Sequence, residues 1–413
     1  MLKVIDSTNR RAVERLLARR PGRDPAVARR VARIVADVRR RGDRAVAQYA
    51  RRLDGLRGPL EVNRREIEEG AARTPRQVRD ALHAAASHIR RVATRQVPRG
   101  RIVTVAPGVE VEERVIPLDR VGCYVPAGRY PLPSSLLMTA IPARVAGVRE
   151  IVAVCPRPAP VVLAAALEAG VTRLFRVGGA HAVAALAYGT RAIPRVDRIV
   201  GPGSAWVAAA KALVAADCGI DFFAGPSEIA IVSRQGNPDW IAADLVAQAE
   251  HDPDARALLI TPSRRLAAAV AARVAARTPR EGPARAALAA NGGIVVTTSL
   301  DEAVALVNRL APEHLVCDSD AMAGRIRTAG TTFVGRFSAQ AAGDYATGSN
   351  HVLPTAGAAR FRGGLSAADF VRLSTVQRLT RAGLTRLART VTTLAEAEGL
   401  LAHAASIEAR LGS

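Results

Sequence analysis

At 413 residues the chain is too long for one hydrophobic core, so roughly two to four domains are expected, and 49% apolar with 23% charged residues excludes a disordered protein. The formal net charge of +22 would suit a nucleic acid, but only Lys3 and Lys211 among the 59 basic residues are lysine and aromatics are 3%, which reads as arginine-rich coding without stacking platforms, so no nucleic-acid partner is expected. No run of about 18 apolar residues occurs, and the N-terminal Met-Leu-Lys-Val-Ile lacks the apolar core of a leader, which predicts a cytoplasmic protein without a membrane partner.

Residues 1–22 are expected as a short helical arm. Over 24–52 and 74–95, apolar residues recur every three or four positions, the spacing of amphipathic helices. Residues 110–114 alternate like a strand, and a second strand is expected near 121–125. Strand and helix then alternate: helix 134–146, strand 151–155, helix 161–169, strand 174–177, helix 182–188, strand 198–200 and helix 205–216 form one α/β unit. A second unit runs through strand 229–232, helix 240–250, strand 257–261, helix 266–276, strand 293–297, helix 300–309 and strands 314–317 and 332–334. Helices are expected over 369–410. The fold class is α/β: two parallel-type, incomplete Rossmann-like domains with helical N- and C-terminal extensions. The expected division is an arm at 1–22, one domain from 23–123 with 228–365, a second at 124–227, and a terminal segment at 366–413.

Cys123, Cys155, Cys218 and Cys317 lie far apart in apolar contexts with no CxxC pair; they read as buried thiols rather than a disulfide framework or thiolate metal site. The glycine-rich stretches at 177–181 and 201–204 each follow a strand and open a helix, which fits a plain tight turn or a phosphate-binding one. Ser227, in the 223–228 segment where one α/β unit hands over to the next, is a hinge residue or a ligand contact.

The chain has seven histidines. A helix placing Gln248 and His251 three apart puts both on one face, and an amide oxygen with an imidazole is half of a zinc site. Glu313 and His314, adjacent where a strand starts, form a carboxylate–imidazole pair suited to general-base work, unless they are a satisfied histidine beside a surface glutamate. Asp344 and His351 are expected in a polar loop after a strand. Glu398 and His403, five apart on one expected helix, lie about 140° apart around it; alone they read as a solvated face.

From Arg114 to the C-terminus the sequence resembles the histidinol dehydrogenases. The resemblance is carried by AGPSE (224–228), QAEHD (248–252), APEHL (311–315), GDYATGSNHVLPT (343–355) and AEAEGLLAH (395–403) in that order. It implies oxidation of L-histidinol to L-histidine through L-histidinal with two NAD⁺, the last step of histidine biosynthesis. It implies zinc held by Gln248, His251, Asp344 and His403, gripping the substrate and fixing its alcohol carbon against the nicotinamide. His314 then takes the alcohol proton and Glu313 activates water. Substrate contacts carry over to Ser227, Gln248, His251, Glu313, Asp344, His351, Glu398 and His403.

NAD contacts carry over to Tyr124, His181 and Ser204. His181 stands where glutamine is usual and Ser204 where asparagine is usual, and a lost neutral hydrogen bond is worth on the order of 1 kcal/mol. On this reading the 23–123 plus 228–365 domain carries most metal and catalytic residues, 124–227 is the cofactor side, and 366–413 is a dimerisation segment. A homodimer with shared active sites is implied, the terminal helix coming from the neighbouring subunit. The 128–132 stretch GRYPL also resembles a sister branch of dehydrogenases acting on other small amino or sulfonated alcohols.

Overall fold

The structure, a computed structural model, describes residues 2–18, 24–128, 130–222 and 225–412; the end of the expected arm at 19–22, Arg129 of the 128–132 stretch and residues 223–224 of the AGPSE segment lie outside the described residues. Two six-stranded sheets dominate. The first has the order Lys3–Asp6, Gly293–Val296, Arg256–Thr261, Glu228–Val232, His314–Cys317, Thr331–Val334, all parallel. Its central strands, EIAIV and RALLIT, are continuous apolar runs because helices cover both faces. Helix Pro238–Ala249 starts where the Asn237 side chain accepts the N–H groups of Asp239 and Trp240, with proline in the first turn.

The second sheet has the order Glu61–Val62, Arg173–Phe175, Glu150–Val154, Arg120–Tyr124, Arg198–Val200, Gly219–Ile220, parallel except for the Glu61–Val62 edge. Helix Pro133–Val145 beside it is buried around most of its circumference, as a helix between a sheet and an outer helical layer must be. That layer comes from the N-terminal third: Arg64–Ala72 packs on Pro160–Glu168, Arg76–Gln96 on Pro133–Val145, and Pro25–Arg41 on Gly179–Tyr188 and Ala205–Val214. A small antiparallel sheet of Arg101–Ala106, Val109–Pro117 and Val371–Leu379 stands apart. All four cysteines are buried and unbonded.

The two-unit α/β architecture is as expected; several boundaries are not. The 1–22 arm is no free helix: Lys3–Asp6 is the edge strand of the first sheet, and helix Arg10–Leu17 buries Val13 and Leu17 against that unit. The helices between Pro25 and Gln96 do not join 228–365. They cover the second unit, and Arg120–Tyr124 is a central strand there, because the helices' apolar faces close a core that 124–227 alone leaves open. The 24–52 helix is broken at Gly42 (φ +54°). The 366–413 segment opens with the single 3₁₀ turn Ala367–Phe370 and the strand Val371–Leu379 in place of a continuous helix. Gly399 (φ +76°) splits the expected 398–403 helix, leaving Glu398 as the cap of Arg381–Ala397 and His403 in Leu401–Leu411.

Setting aside the outermost strand next to the third in each case, both sheets run in the order 3-2-1-4-5 counted along the chain. The switch point lies between Glu228–Val232 and His314–Cys317 in the first, and between Arg120–Tyr124 and Arg198–Val200 in the second.

Candidate active site

Glu313 and His314 lie at the amino edge of the first sheet, with His314 in register with Ile229. Glu313 is buried, and its Oε2 accepts the Glu228 N–H at 2.8 Å. The Ser227 hydroxyl donates to the same carboxylate. Burial drives the Glu313 carboxyl well above its ordinary range, and the nearby Glu228 and Asp344 carboxylates push the same way.

His314 Nδ1 lies 3.0 Å from the Glu228 carbonyl. A carbonyl only accepts, so Nδ1 carries the proton and Nε2 keeps its lone pair. Nε2 is buried without a hydrogen-bond partner, 3.7 Å from Asp344 Oδ1. Burial lowers this imidazole to about 4, so it is neutral at physiological pH.

Asp344 is not in a loop: it lies in the short helix Gln340–Tyr345, where Gln340 Nε2 donates to its Oδ2 at 2.7 Å. His251, exposed just past the end of Pro238–Ala249, places Nε2 3.8 Å from that same Oδ2. The two oxygens of Asp344 therefore face two imidazoles. One turn before His251, Gln248 is buried and neither amide atom has a partner. An unsatisfied buried group costs roughly 1–3 kcal/mol, so this side chain is arranged for something that enters the crevice.

His351 gives its Nδ1 proton to the Asp344 carbonyl at 2.8 Å, which leaves Nε2 as a free base. Its loop is pinned to the other unit. Asn350 Nδ2 donates to the Met138 carbonyl at 2.6 Å, His88 Nδ1 to the Ala346 carbonyl at 2.6 Å, and at Gly348 (φ +88°) a Cβ would sit 2.6 Å from the His88 carbonyl. The crevice thus lies where the two units meet.

Among the described residues, no group of three or more His, Cys, Asp and Glu side chains is placed to hold a metal ion. Gln248 lies outside that set of residue types. Its orphaned amide, with the imidazole of His251 and the carboxylate of Asp344, supplies three donors suited to a small divalent cation, one short of a tetrahedral shell. Glu398 and His403 do not complete it within one chain: both are exposed, and among the described residues neither makes a side-chain hydrogen bond or ion pair.

The glycine turns lie at the carboxyl edge of the second sheet. The Tyr124 hydroxyl accepts the Gly179 N–H at 2.9 Å, and Asp54 accepts the Gly178 N–H at 3.0 Å and faces His181 Nε2 at 2.8 Å. His181 is only 1% exposed, against Tyr49, with Nδ1 unpartnered. Ser204 is exposed at the head of Ala205–Val214 and makes no side-chain cap. Asp54, Glu228, Gln340 and Asn350 were missed from sequence; Asp54, Glu228 and Asn350 act through contacts distant along the chain or through the backbone, which no local pattern announces, and Gln340 reaches Asp344 one turn away on a helix that was expected as a loop.

The family model described as histidinol dehydrogenase matches residues 17–411. Histidinol dehydrogenase of Chromobacterium violaceum is 46% identical over 96% of this chain and 95% of its own length. That of Cereibacter sphaeroides is 48% identical over 92% of this chain and 91% of its own. The crystal structure of histidinol dehydrogenase from Elizabethkingia anophelis superposes with a TM-score of 0.94 at 30% identity, covering 100% of this chain and 98% of that one. With a match of this extent over both its sequence and its fold, the chain belongs to the histidinol dehydrogenase family and is an NAD-dependent oxidoreductase.

Proposed function

We propose that the chain oxidises L-histidinol to L-histidine through L-histidinal, using two NAD⁺ and a bound Zn²⁺, as the last step of histidine biosynthesis in the cytoplasm. The observation that carries this reading is the convergence on Asp344 of the free His314 Nε2 and the His251 imidazole, beside the orphaned amide of Gln248. Zinc supplies an anchor and a Lewis acid for the substrate when bound. Gln248, His251 and Asp344 hold it, with His403 from a second copy as the fourth ligand in a homodimer with shared sites. An exposed terminal histidine suits that role.

His314 Nε2 accepts the hydroxyl proton as hydride leaves the carbinol carbon for the first NAD⁺, giving the aldehyde. A water then adds to the aldehyde carbon while the Glu313 carboxylate takes its proton. A carboxylate raised by burial is the stronger base for this. Once His314 has passed its first proton to solvent, hydride passes from the hydrated aldehyde to the second NAD⁺ as His314 Nε2 accepts the remaining hydroxyl proton, and the carboxylate product forms. Ser227, His351 and Glu398 complete the substrate contacts, and the turns bearing Tyr124, His181 and Ser204 take the dinucleotide.

NADH formation with histidinol, followed before and after chelation, tests this. The expected result is two NADH per histidinol, loss of activity in chelator and recovery with zinc. Full activity in metal-free folded protein would overturn the role of the metal. Turnover of other small amino or sulfonated alcohols but not of histidinol would move the chain to the sister branch.

A further inference from the structure

Burying an ion pair seldom stabilises a protein more than apolar packing would, so a buried pair closed by short hydrogen bonds calls for another reason. Lys211 and Asp221 are 2% and 3% exposed. Lys211 Nζ donates to Asp221 Oδ1 at 2.6 Å and to the Gly201 carbonyl at 2.6 Å. Asp221 Oδ2 accepts the Gly201 N–H at 2.8 Å, and Oδ1 accepts the Phe222 N–H at 2.7 Å. Gly201 is therefore gripped on both sides, its N–H by the carboxylate and its C=O by the ammonium. It is held at φ +116°, where a Cβ would overlap the Tyr124 carbonyl.

Position along the chain gives this grip its meaning. Gly201 ends strand Arg198–Val200 and opens the turn to Ala205–Val214, the helix that supplies Lys211. Asp221 follows strand Gly219–Ile220 and begins the segment that crosses to Ser227 and the first sheet. Composition points to the same place. In a chain with 57 arginines and two lysines, lysine persists where two acceptors at 2.6 Å enclose a buried compact ammonium; a planar guanidinium with five donors would leave donors unsatisfied there.

We infer that Lys211 and Asp221 are a positioning pair for the dinucleotide: by fixing the Gly201 peptide they set how the 201–204 turn meets NAD⁺, and so govern cofactor affinity and not the chemistry at His314. The inference rests on the reading of that turn as a cofactor contact.

The test uses the zinc-loaded full-length protein with Lys211→Met and Lys211→Arg, measuring Kd for NAD⁺, Kd for histidinol, kcat and melting temperature. Loss of a hydrogen bond to a charged group should weaken NAD⁺ binding by about tenfold or more. Histidinol binding and kcat at saturating NAD⁺ should hold, and Lys211→Arg should fail to restore affinity although it keeps the charge. Unchanged NAD⁺ affinity, or equal losses for both ligands, would overturn the inference. Should Lys211→Met not fold, Lys211→Arg carries the same readout: weakened NAD⁺ binding supports the pair and wild-type affinity overturns it. Ser204→Asp, at an exposed position of the turn, separates the two readings. If it leaves NAD⁺ affinity intact, the cofactor does not lie at this turn, and the reading beneath the inference fails.

Discussion

The two α/β units share a strand order yet carry their candidate site residues at opposite edges. In the second unit the glycine turns sit at the carboxyl edge, where Gly179–Tyr188 and Ala205–Val214 begin. In the first, Ser227, Glu313 and His314 sit at the amino edge, and the carboxyl edge is closed by its own side chains. There Glu302 accepts from the Ser7 hydroxyl at 3.0 Å and from the Thr298 N–H and hydroxyl at 2.7 Å each, and Asp318 accepts the Arg234 N–H at 2.8 Å.

The contrast follows from how helices return in an α/β unit. Helix N-termini, with free N–H groups and partial positive charge, gather at the carboxyl edge and suit an anionic dinucleotide. Helix C-termini gather at the amino edge, and their partial negative charge suits a cation. Gln248 and His251 lie at the C-terminal end of Pro238–Ala249, the end that favours a metal. Two copies of one topology thus set an edge suited to phosphate against an edge suited to a cation.

His314→Asn breaks the comparison hardest. It removes the buried free base at the amino edge and leaves the other edge untouched, so kcat should fall by about 10²–10⁴ while the NAD⁺ dissociation constant stays constant in a binding titration. A parallel loss of cofactor affinity would mean that the edges are not separate. Gly201→Ala is the converse. A Cβ at φ +116° against the Tyr124 carbonyl costs roughly 1–3 kcal/mol, and should appear as a lowered melting temperature and a raised KM for NAD⁺ with kcat preserved.

The smallest effect is in pH dependence, where the units carry opposite signs. Burial pushes Asp244, on helix Pro238–Ala249 of the first unit, up to about 6. Its folded pKa lies above its ordinary value, so the protein gains stability by taking up the proton between pH about 6 and about 4 and bears the cost at neutrality. Asp244→Asn should stabilise metal-free protein at neutral pH by on the order of 1–2 kcal/mol, read as a raised melting temperature, and the gain should vanish below pH about 4. Asp37, on the second unit's outer layer, is held down to about 2, chiefly by its hydrogen bond from Arg41. Its contribution is full above pH about 4 and lost as pH falls towards about 2. Asp37→Asn should cost roughly 0.2–1 kcal/mol at neutral pH, since the pair is near solvent, and nothing in strong acid. Melting curves across pH check both.

Scarce residue types made much of the site visible. With seven histidines in 413 residues, an imidazole three positions after a glutamine and another directly after a glutamate stand out, and His251, Asp344 and His314 do come together. The alternation of buried strands and helices likewise gave both sheets. What stayed hidden depends on partners. The 24–52 and 74–95 helices have the same periodicity whichever unit they cover, so their placement on the second unit was not written in their spacing. The grip of Asp54 on His181 joins positions 127 apart. Strand Val371–Leu379, VRLSTVQRL, breaks its alternation and pairs on one side only, so it passed for helix.

The buried thiols give the two units separate reporters of unfolding. Cys123, Cys155 and Cys218 belong to the second unit, and burial pushes each up to about 12. Cys317 belongs to the first and is also raised by burial. The thiolate is the species that alkylating reagents capture, so the native chain is silent and each thiol reacts only when its surroundings open. Peptide masses after brief alkylation therefore tell which unit opened first, and at what rate, with no reporter residue engineered into the protein.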